Sequence, residues 1–415
     1  MTSSNTVTHR NAKEFSSGFR LGILGAGQLA RMLAEAASRM GITPVVYTDT
    51  KDTSAGKMTV QHALGTIQDE SALKAFFSEV DLAILESEFL PVDLLERSRG
   101  SVEVLPVLSA VAETRDKLKQ KQLFQRLGLP TSAFIDYDGR PIEQWIAHAA
   151  SFFGGSCVFK WGQLGYDGKG VFVLKQHASE KDAAKVFCLG ALKKGVSLFA
   201  EARVEFRREL AIVGVHSTKA EFASYPLVVS EQYRGICRQV TGPATQLGAT
   251  IEQETLATEF LKQIAQATGL VGCFAIELFE SHEGTLLINE LAPRVHNSGH
   301  YTQNASGTSQ FENHLRAVLG LPLGSTESFG VFVMRNLLGP EGVSQNAEGA
   351  LLPLCPAAAH LHWYEKDLRP FRKLGHINAV VRDVEALPRA IAMIDHAERN
   401  WVDRLRSVGV TDLEA

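Results

Sequence analysis

The run Leu286-Leu-Ile-Asn-Glu-Leu-Ala-Pro-Arg-Val-His-Asn-Ser-Gly-His300 constrains the fold more than any other stretch of the chain. An apolar strand delivers an amide and a carboxylate, Asn289 and Glu290. It then breaks into a loop carrying Pro293, Arg294, His296, Asn297 and Gly299. Just upstream, Cys273-Phe-Ala-Ile-Glu-Leu-Phe279 reads as a second strand bearing Glu277, and Ser281-His-Glu-Gly284 is the turn between them. The hairpin is expected to present Glu277, Glu290 and Asn289 side by side. These are hard oxygen donors, suited to Mg²⁺ and the phosphates it binds. Solvated carboxylates on an edge hairpin are the alternative, but two carboxylates inside apolar strands are costly unless a cation compensates them. Arg294, just past the expected metal position, is expected to hold a phosphate oxygen bidentately.

A second fingerprint lies near the start. Phe19 to Leu24 is a short buried strand, Gly25-Ala-Gly27 a tight turn, and Gln28 to Met40 has helical spacing. Gly25-Ala-Gly-Gln-Leu-Ala30 fits the dinucleotide pattern Gly-x-Gly-x-x-Ala, with Asp49 near an acidic ribose partner's place. The physics supports a weaker statement: a helix N-terminus behind a glycine turn binds an anion. A phosphate, an NAD cofactor and a merely structural turn all remain open at this point. Further strands at Ile42–Tyr47 and Val80–Leu85, alternating with helices, give a doubly wound parallel α/β domain over 19–114. Glu88, after the third clear strand, is placed to accept ribose hydroxyls.

Lys160 ends a strand directly before Gly162-Gln-Leu-Gly-Tyr-Asp-Gly-Lys-Gly170. A lysine there reaches a nucleotide phosphate as a point charge, while Gly165, Gly168 and Gly170 let backbone N–H groups approach it. Arg238 follows the Gly235 turn and is expected to face the metal hairpin, stabilising charge on a transferring phosphoryl group. Trp363 to His376 is dense in cations, with rigid Pro370 and Gly375, and suits an anionic ligand. His296 and His300 form His-x-x-x-His, a zinc signature only on a helix. Pro293, Asn297, Ser298 and Gly299 argue against a helix there, so hydrogen bonding within the loop is expected instead.

The composition is compatible with a soluble enzyme. At 415 residues the chain has room for two to four domains, and 45% hydrophobic with 21% charged residues is ordinary for globular proteins. A formal charge of −4 gives no field for nucleic acid. Five scattered cysteines, without a Cys-x-x-Cys pair, fit a reducing cytoplasm better than disulfides or a zinc ribbon. Met1 to Gly18 reads as a disordered polar arm, and no apolar stretch is long enough to span a bilayer.

The hairpin resembles the metal-binding hairpin of the ATP-grasp ligases. Its extension, Ala292-Pro-Arg-Val-His-Asn-Ser-Gly-His-Tyr-Thr302, with Thr308 to Arg316 and Gly320-Leu-Pro-Leu-Gly324, resembles one branch of them, the N5-carboxyaminoimidazole ribonucleotide synthases. The likeness runs from about Phe19 to about Arg399. It implies an ATP-grasp fold that mixes α/β and α+β parts: arm 1–18, N-terminal domain 19–114, linker helix and lid 115–195, central metal-binding domain 196–328, and a C-terminal β-rich cap with a final helix, 329–415.

The resemblance further implies ATP, bicarbonate and 5-aminoimidazole ribonucleotide as small-molecule substrates. Mg²⁺ is the implied metal, with Mn²⁺ an accepted substitute, and a cytoplasmic homodimer the implied assembly. ATP is implied to lie against Lys117, Lys160, Gly165 to Gly170 (Lys169 included), the crossover Glu201-Ala202-Arg203-Val204, Glu209, Gln232, Asn289 and Glu290. Glu209 would bind the adenosine ribose. The ribonucleotide is implied to meet Gly25, Gln28, Leu29, Glu88, Tyr166, Asp167, Lys169, His296, Asn297 and Ser298, with Lys366 and Arg372 closing over its phosphate. Asp167 would lie near the reactive amine, making Asp167, Arg238 and Arg294 the catalytic candidates. The family has arginine where Lys117 stands, two arginines where Trp161 and Gly162 stand, and in some members histidine where Gln232 stands. A sibling ligase or formyltransferase using another carboxylate, or a weakly active nucleotide-binding paralogue, are the other readings.

Overall fold

The computed structural model describes residues 18–58, 61–165, 169–175, 180–343 and 351–407. The expected arm 1–18 falls outside these residues except for Gly18. The first unit alternates strand and helix: β1 (Arg20–Leu24), α1 (Gln28–Arg39), β2 (Thr43–Thr48), β3 (Gln61–Leu64), α2 (Glu70–Ser78), β4 (Leu82–Leu85), α3 (Val92–Ser98), β5 (Glu103–Leu105) and α4 (Leu108–Thr114). The strands form one parallel sheet in the order β3-β2-β1-β4-β5. β1 and β4 are almost wholly buried apolar runs, as strands covered on both faces must be. The chain reverses its winding between β1 and β4. The crevice beyond their carboxyl ends is where open α/β sheets bind ligands. Gly25–Gly27 and Glu86–Glu88 both sit there.

Helix α5 (Lys117–Arg126) is capped by the Asp116 carboxylate, which accepts from the Leu118 and Lys119 amides. A small antiparallel sheet follows, in the order β6-β9-β7-β8: β6 (Phe134–Asp136), β7 (Cys157–Trp161), β8 (Val171–Leu174) and β9 (Leu198–Ala202). Helices α6 (Ile142–Phe152) and α7 (Glu180–Lys194) share its apolar core around Trp145 and Phe159. The lid expected to end at 195 therefore extends through Ala202, because β9 lies between β6 and β7.

The third sheet is antiparallel and holds nine strands. β10 (Arg208–His216), β11 (Phe222–Ser224), β12 (Val228–Tyr233) and β13 (Ile236–Gly242) lead to α8 (Ile251–Thr268). Then come β14 (Gly272–Glu280), β15 (Leu286–Ala292), α9 (Thr302–Ala305), α10 (Gln310–Val318), β16 (Val331–Leu338), β17 (His360–Trp363), β18 (Lys373–Val381) and α11 (Leu387–Ser407). The order is β15-β14-β10-β12-β13-β16-β18-β17, with β11 on β10. A Thr250/Gln253 capping box starts α8, and Gly269 at φ +69° ends it. The boundary expected at 328/329 separates no sheet, since β16 pairs with β13 through Gln239–Arg335 to Gly242–Phe332. No helix among the described residues is long and apolar enough to cross a membrane.

Candidate active site

The hairpin β14–β15 sets Glu277 directly opposite Glu290, as its apolar alternation and turn imply. The register then slips: Leu278 pairs with Ile288, and Asn289 is left without an opposite number. In a regular strand consecutive side chains point to opposite faces, so Asn289 and Glu290 could not share one. The bulge reconciles them, because two residues on the bulged strand oppose one on its partner. Glu277, Asn289 and Glu290 accordingly all line one cleft of 820 Å³. The sequence reading placed them together without supplying the bulge that makes it possible.

Cations surround the pair unequally. The Lys117 ammonium binds the Glu290 carboxylate, and Lys160 Nζ lies 2.9 Å from Asn289 Oδ1. Burial opposes ionisation of Glu290, but Lys117 and Lys160 outweigh it and hold its pKa below the usual carboxylate range. Glu277 moves the other way: burial, then the charges of Glu290 and Glu209, push it up. His296 Nε2 lies 3.4 Å from Glu277 Oε1. Burial also raises Glu209, which accepts a hydrogen bond from Gln232. Two carboxylates held face to face, with an amide beside them and one of them resisting ionisation, form an oxygen donor set that a divalent cation fits.

The wall facing the hairpin comes from the small sheet. Ala202, Arg203 and Val204 line the cleft, whose apolar part is Val158, Val171, Val173, Phe206 and Phe279. Phe206 and Phe279 are stacked with ring centroids 4.6 Å apart. The Glu201 carboxylate is turned elsewhere. It binds Lys160 at 2.5 Å, Lys121 at 2.9 Å and Ser132 Oγ at 2.8 Å in a nearly sealed cluster. Burial opposes its ionisation, but the two lysines prevail and lower it to about 2. Burial pushes Lys121 down to about 8. Glu201 thus fixes Lys160, which lines the cleft. Nothing in helical spacing separates Lys121 from Lys117 or Lys119, so the sequence does not single it out.

Gly165, Lys169 and Gly170 are in place, and Gly165 and Lys169 line the cleft. Tyr166, Asp167 and Gly168 lie outside the described residues. The departures at 161 and 162 have a local cause. A Cβ on Gly162 would stand 1.8 Å from Ser197 Oγ and 2.5 Å from Asp116 Oδ1, and those two side chains are themselves hydrogen-bonded at 2.6 Å through Asp116 Oδ2. Trp161 packs on Phe187 at 5.2 Å and donates its indole N–H to the Phe187 carbonyl. Both residues tie the root of the glycine loop to α5 and α7. Asp116 went unremarked in the sequence, although its position before an amphipathic helix is a capping signal.

The other end of the cleft gathers the ribonucleotide candidates. Gln28, Leu29, Glu88, Arg294, His296 and Asn297 line it. Arg294 is held bidentately by Glu88, Nε to Oε2 at 2.6 Å and Nη2 to Oε1 at 3.1 Å. Lys366 binds the Gln28 side chain, joining the C-terminal segment to α1.

Four expectations change. Gly25 and Gly27 cradle the chain's own Glu86: Gly27 N–H reaches Glu86 Oε1 at 2.9 Å, and Ala30 N–H reaches Oε2 at 2.8 Å. Arg238 forms a bidentate pair with Glu398 of α11, at 2.6 and 2.7 Å. Strand alternation turns Cys237, not Arg238, to the cleft. Arg372 is engaged by Asp367, and its neighbour Lys373 lines the cleft instead, again by alternation at the start of β18. Ser298 is buried, its hydroxyl 2.8 Å from His296 Nδ1. His296 caps a short 3-10 turn, Asn297–Gly299, so no helix aligns the two histidines. Burial keeps His300 neutral, its pKa well below the ordinary value.

A parallel domain with a crevice at its switch point, a small antiparallel lid carrying a lysine and a glycine loop, and a hairpin with two opposed carboxylates define an ATP-grasp ligase. Residues 122–311 match the ATP-grasp domain family, residues 19–114 the ribonucleotide synthetase preATP-grasp domain, and residues 333–390 the phosphoribosylaminoimidazole carboxylase C-terminal domain. The chain is 36% identical over 388 residues to the N5-carboxyaminoimidazole ribonucleotide synthase of Mycobacterium tuberculosis, covering 92% of this chain and 88% of that protein. It is similar to the crystal structure of N5-carboxyaminoimidazole ribonucleotide synthetase from Thermus thermophilus (TM-score 0.78, 35% identity, 91% of this chain and 98% of that one). It is also similar to the Aspergillus clavatus synthase solved with ADP and 5-aminoimidazole ribonucleotide (TM-score 0.80, 29% identity, 92% and 99%). The chain belongs to the N5-carboxyaminoimidazole ribonucleotide synthase family.

Proposed function

We propose that this protein carboxylates 5-aminoimidazole ribonucleotide with bicarbonate, converting ATP to ADP and phosphate, in purine biosynthesis. The observation that carries the reading is the single cleft running from the apolar wall at Phe206 and Phe279, past Lys160, Asn289, Glu290 and Glu277, to Arg294, His296 and the β1–β4 crevice. ATP fits the first end and the ribonucleotide the second, with the carboxylates between them.

A bicarbonate oxygen attacks the γ-phosphorus, the bond to the bridging oxygen breaks, and ADP leaves. The resulting carboxyphosphate releases CO₂ and phosphate. The exocyclic amine of the ribonucleotide captures the CO₂ and gives up a proton. Glu277, Glu290 and the Asn289 amide oxygen are the groups that would hold Mg²⁺, which neutralises phosphate charge during such a transfer. Lys160, fixed by Glu201, orients the nucleotide phosphates. Arg294, fixed by Glu88, presents its guanidinium between the two substrates. Asp167 is the proposed acceptor of the amine proton. The proposed assembly is a cytoplasmic homodimer.

Phosphate release measured with each substrate omitted in turn tests the reading. Turnover that requires both bicarbonate and ribonucleotide supports it. Turnover sustained by formate in place of bicarbonate identifies a formyl-transferring sibling instead.

A further inference from the structure

The Gly25-Ala-Gly27 turn and the N-terminus of α1 have the sequence signature of a dinucleotide site, and the crevice position matches. The structure gives them a different occupant. Glu86 leaves the end of β4 and lays its carboxylate across the turn. Gly27 N–H donates to Oε1 and Oε2 at 2.9 and 3.1 Å, and Ala30 N–H donates to Oε2 at 2.8 Å. Both oxygens accept; burial raises the Glu86 pKa, while these amides and the charges of Lys366 and Arg294 work the other way and favour the carboxylate. The glycines are shaped to it. A Cβ on Gly25 would lie 2.4 Å from Glu86 Cγ, and one on Gly27 would lie 3.0 Å from Oε1. Gly25 also has φ +113°, a conformation that only glycine adopts without strain.

We infer that Glu86 is a specificity-determining residue: it serves as the resident anion of the α1 N-terminus and excludes ligands that would lay a pyrophosphate across the Gly25–Gly27 turn. The amides of Gly27 and Ala30 are those a pyrophosphate would use. A fixed carboxylate there both occupies them and repels a second anion. A phosphate monoester can still approach from the outer side, where Gln28 and Lys366 meet. Glu88, two residues on, faces the same crevice, but its carboxylate is engaged with Arg294. The carboxylate that fills the turn is therefore Glu86 alone among the acidic residues after β4. The monoester half of this inference rests on the ribonucleotide reading above. The anion-exclusion half does not.

The test uses the full chain with the nucleotide site saturated by Mg-ADP. Thermal unfolding is followed while inorganic pyrophosphate, inorganic phosphate or NAD⁺ is titrated against wild type, Glu86→Ala and Glu86→Gln. Glu86→Gln keeps the side chain's size and one accepting oxygen, so it reports on charge even if Glu86→Ala does not fold. The expected result is that pyrophosphate raises the melting temperature of the variants at concentrations at least about tenfold lower than for wild type. Phosphate and NAD⁺ should show the same direction. An unchanged anion response in a folded variant overturns the inference. So does a rise in ribonucleotide KM without any gain in anion binding, which would make Glu86 a direct substrate contact. If wild type shows no ribonucleotide-dependent turnover, the functional reading fails while the anion comparison stands.

Discussion

Glu277 and Glu290 stand directly opposite one another across β14 and β15, and Asn289 is the residue that their pairing skips. Like charges in that position repel, and the pair is kept by the lysines on one side of it. Glu290→Gln should therefore lower phosphate release by at least about 10²-fold, the scale of lost electrostatic stabilisation at a reacting centre. The fold should persist, because the substitution removes the repulsion between the two carboxylates. Near-normal turnover at low Mg²⁺ would take the metal away from this hairpin. Circular dichroism run alongside separates loss of chemistry from loss of structure.

On the proposed placement of the substrates, ATP and the ribonucleotide should respond to different lysines. Lys366→Ala is expected to raise the ribonucleotide KM about tenfold to a hundredfold, the worth of one charge-assisted hydrogen bond, and to leave the ATP KM nearly unchanged. Lys160→Ala should do the reverse. Arg372→Ala should have a smaller effect than Lys366→Ala, since Asp367 already holds that guanidinium. Steady-state kinetics in both substrates decides. ATP affinity lost in Lys366→Ala would assign the C-terminal segment to the nucleotide.

Glu201 makes a pH prediction with a definite sign. Its folded pKa is near 2 against an ordinary 4.5, so the unfolded chain binds more protons in that interval. The stabilisation is complete above 4.5 and is lost as pH falls toward 2. Glu201→Gln should remove that part of the acid limb. At neutral pH it should cost about 3–5 kcal/mol, because Lys121 and Lys160 would be left buried without their counter-charge. Chemical denaturation of wild type and variant between pH 2 and 7 reads both, and parallel acid limbs would contradict the assignment.

Leu164 enters the glycine loop at φ +62° and is 44% exposed. A left-handed conformation costs a branched residue about 1–2 kcal/mol, and glycine loses more freedom on folding. Leu164→Gly should thus be neutral to stabilising by about 1 kcal/mol, where an ordinary loop leucine would lose stability. Equilibrium unfolding measures the difference, and a clear destabilisation would mean that Leu164 makes contacts outweighing its strain.

The carboxylate-bearing hairpin and the parallel sheet were legible because both are local patterns, an apolar strand interrupted by carboxylates and alternating strand and helix. What was not legible depends on pairing across the chain. The Asn289 bulge exists only relative to β14. Arg238 was assigned to the cleft because the sequence gives a strand's alternation but not which parity faces inward. The same ambiguity at the start of β18 hid Lys373 behind Arg372. Glu86 and Lys121 escaped for another reason: each is a charged residue whose partners lie far off in sequence, the α1 amides and Glu201. Boundaries fared worst where strands add to a distant sheet, as β9 and β16 do.

The pairing of β16 with β13 bears on how this protein can be divided. The residues beyond 328 look like an appendage in the linear order, yet cutting them away would uncover the Gln239–Gly242 edge of β13 and leave a row of unpaired amides and carbonyls. Exposed edges of that kind recruit other chains. A truncated protein ending there should self-associate rather than persist as a smaller enzyme. Residue 328 is thus a seam inside one sheet, not the edge of a separable unit.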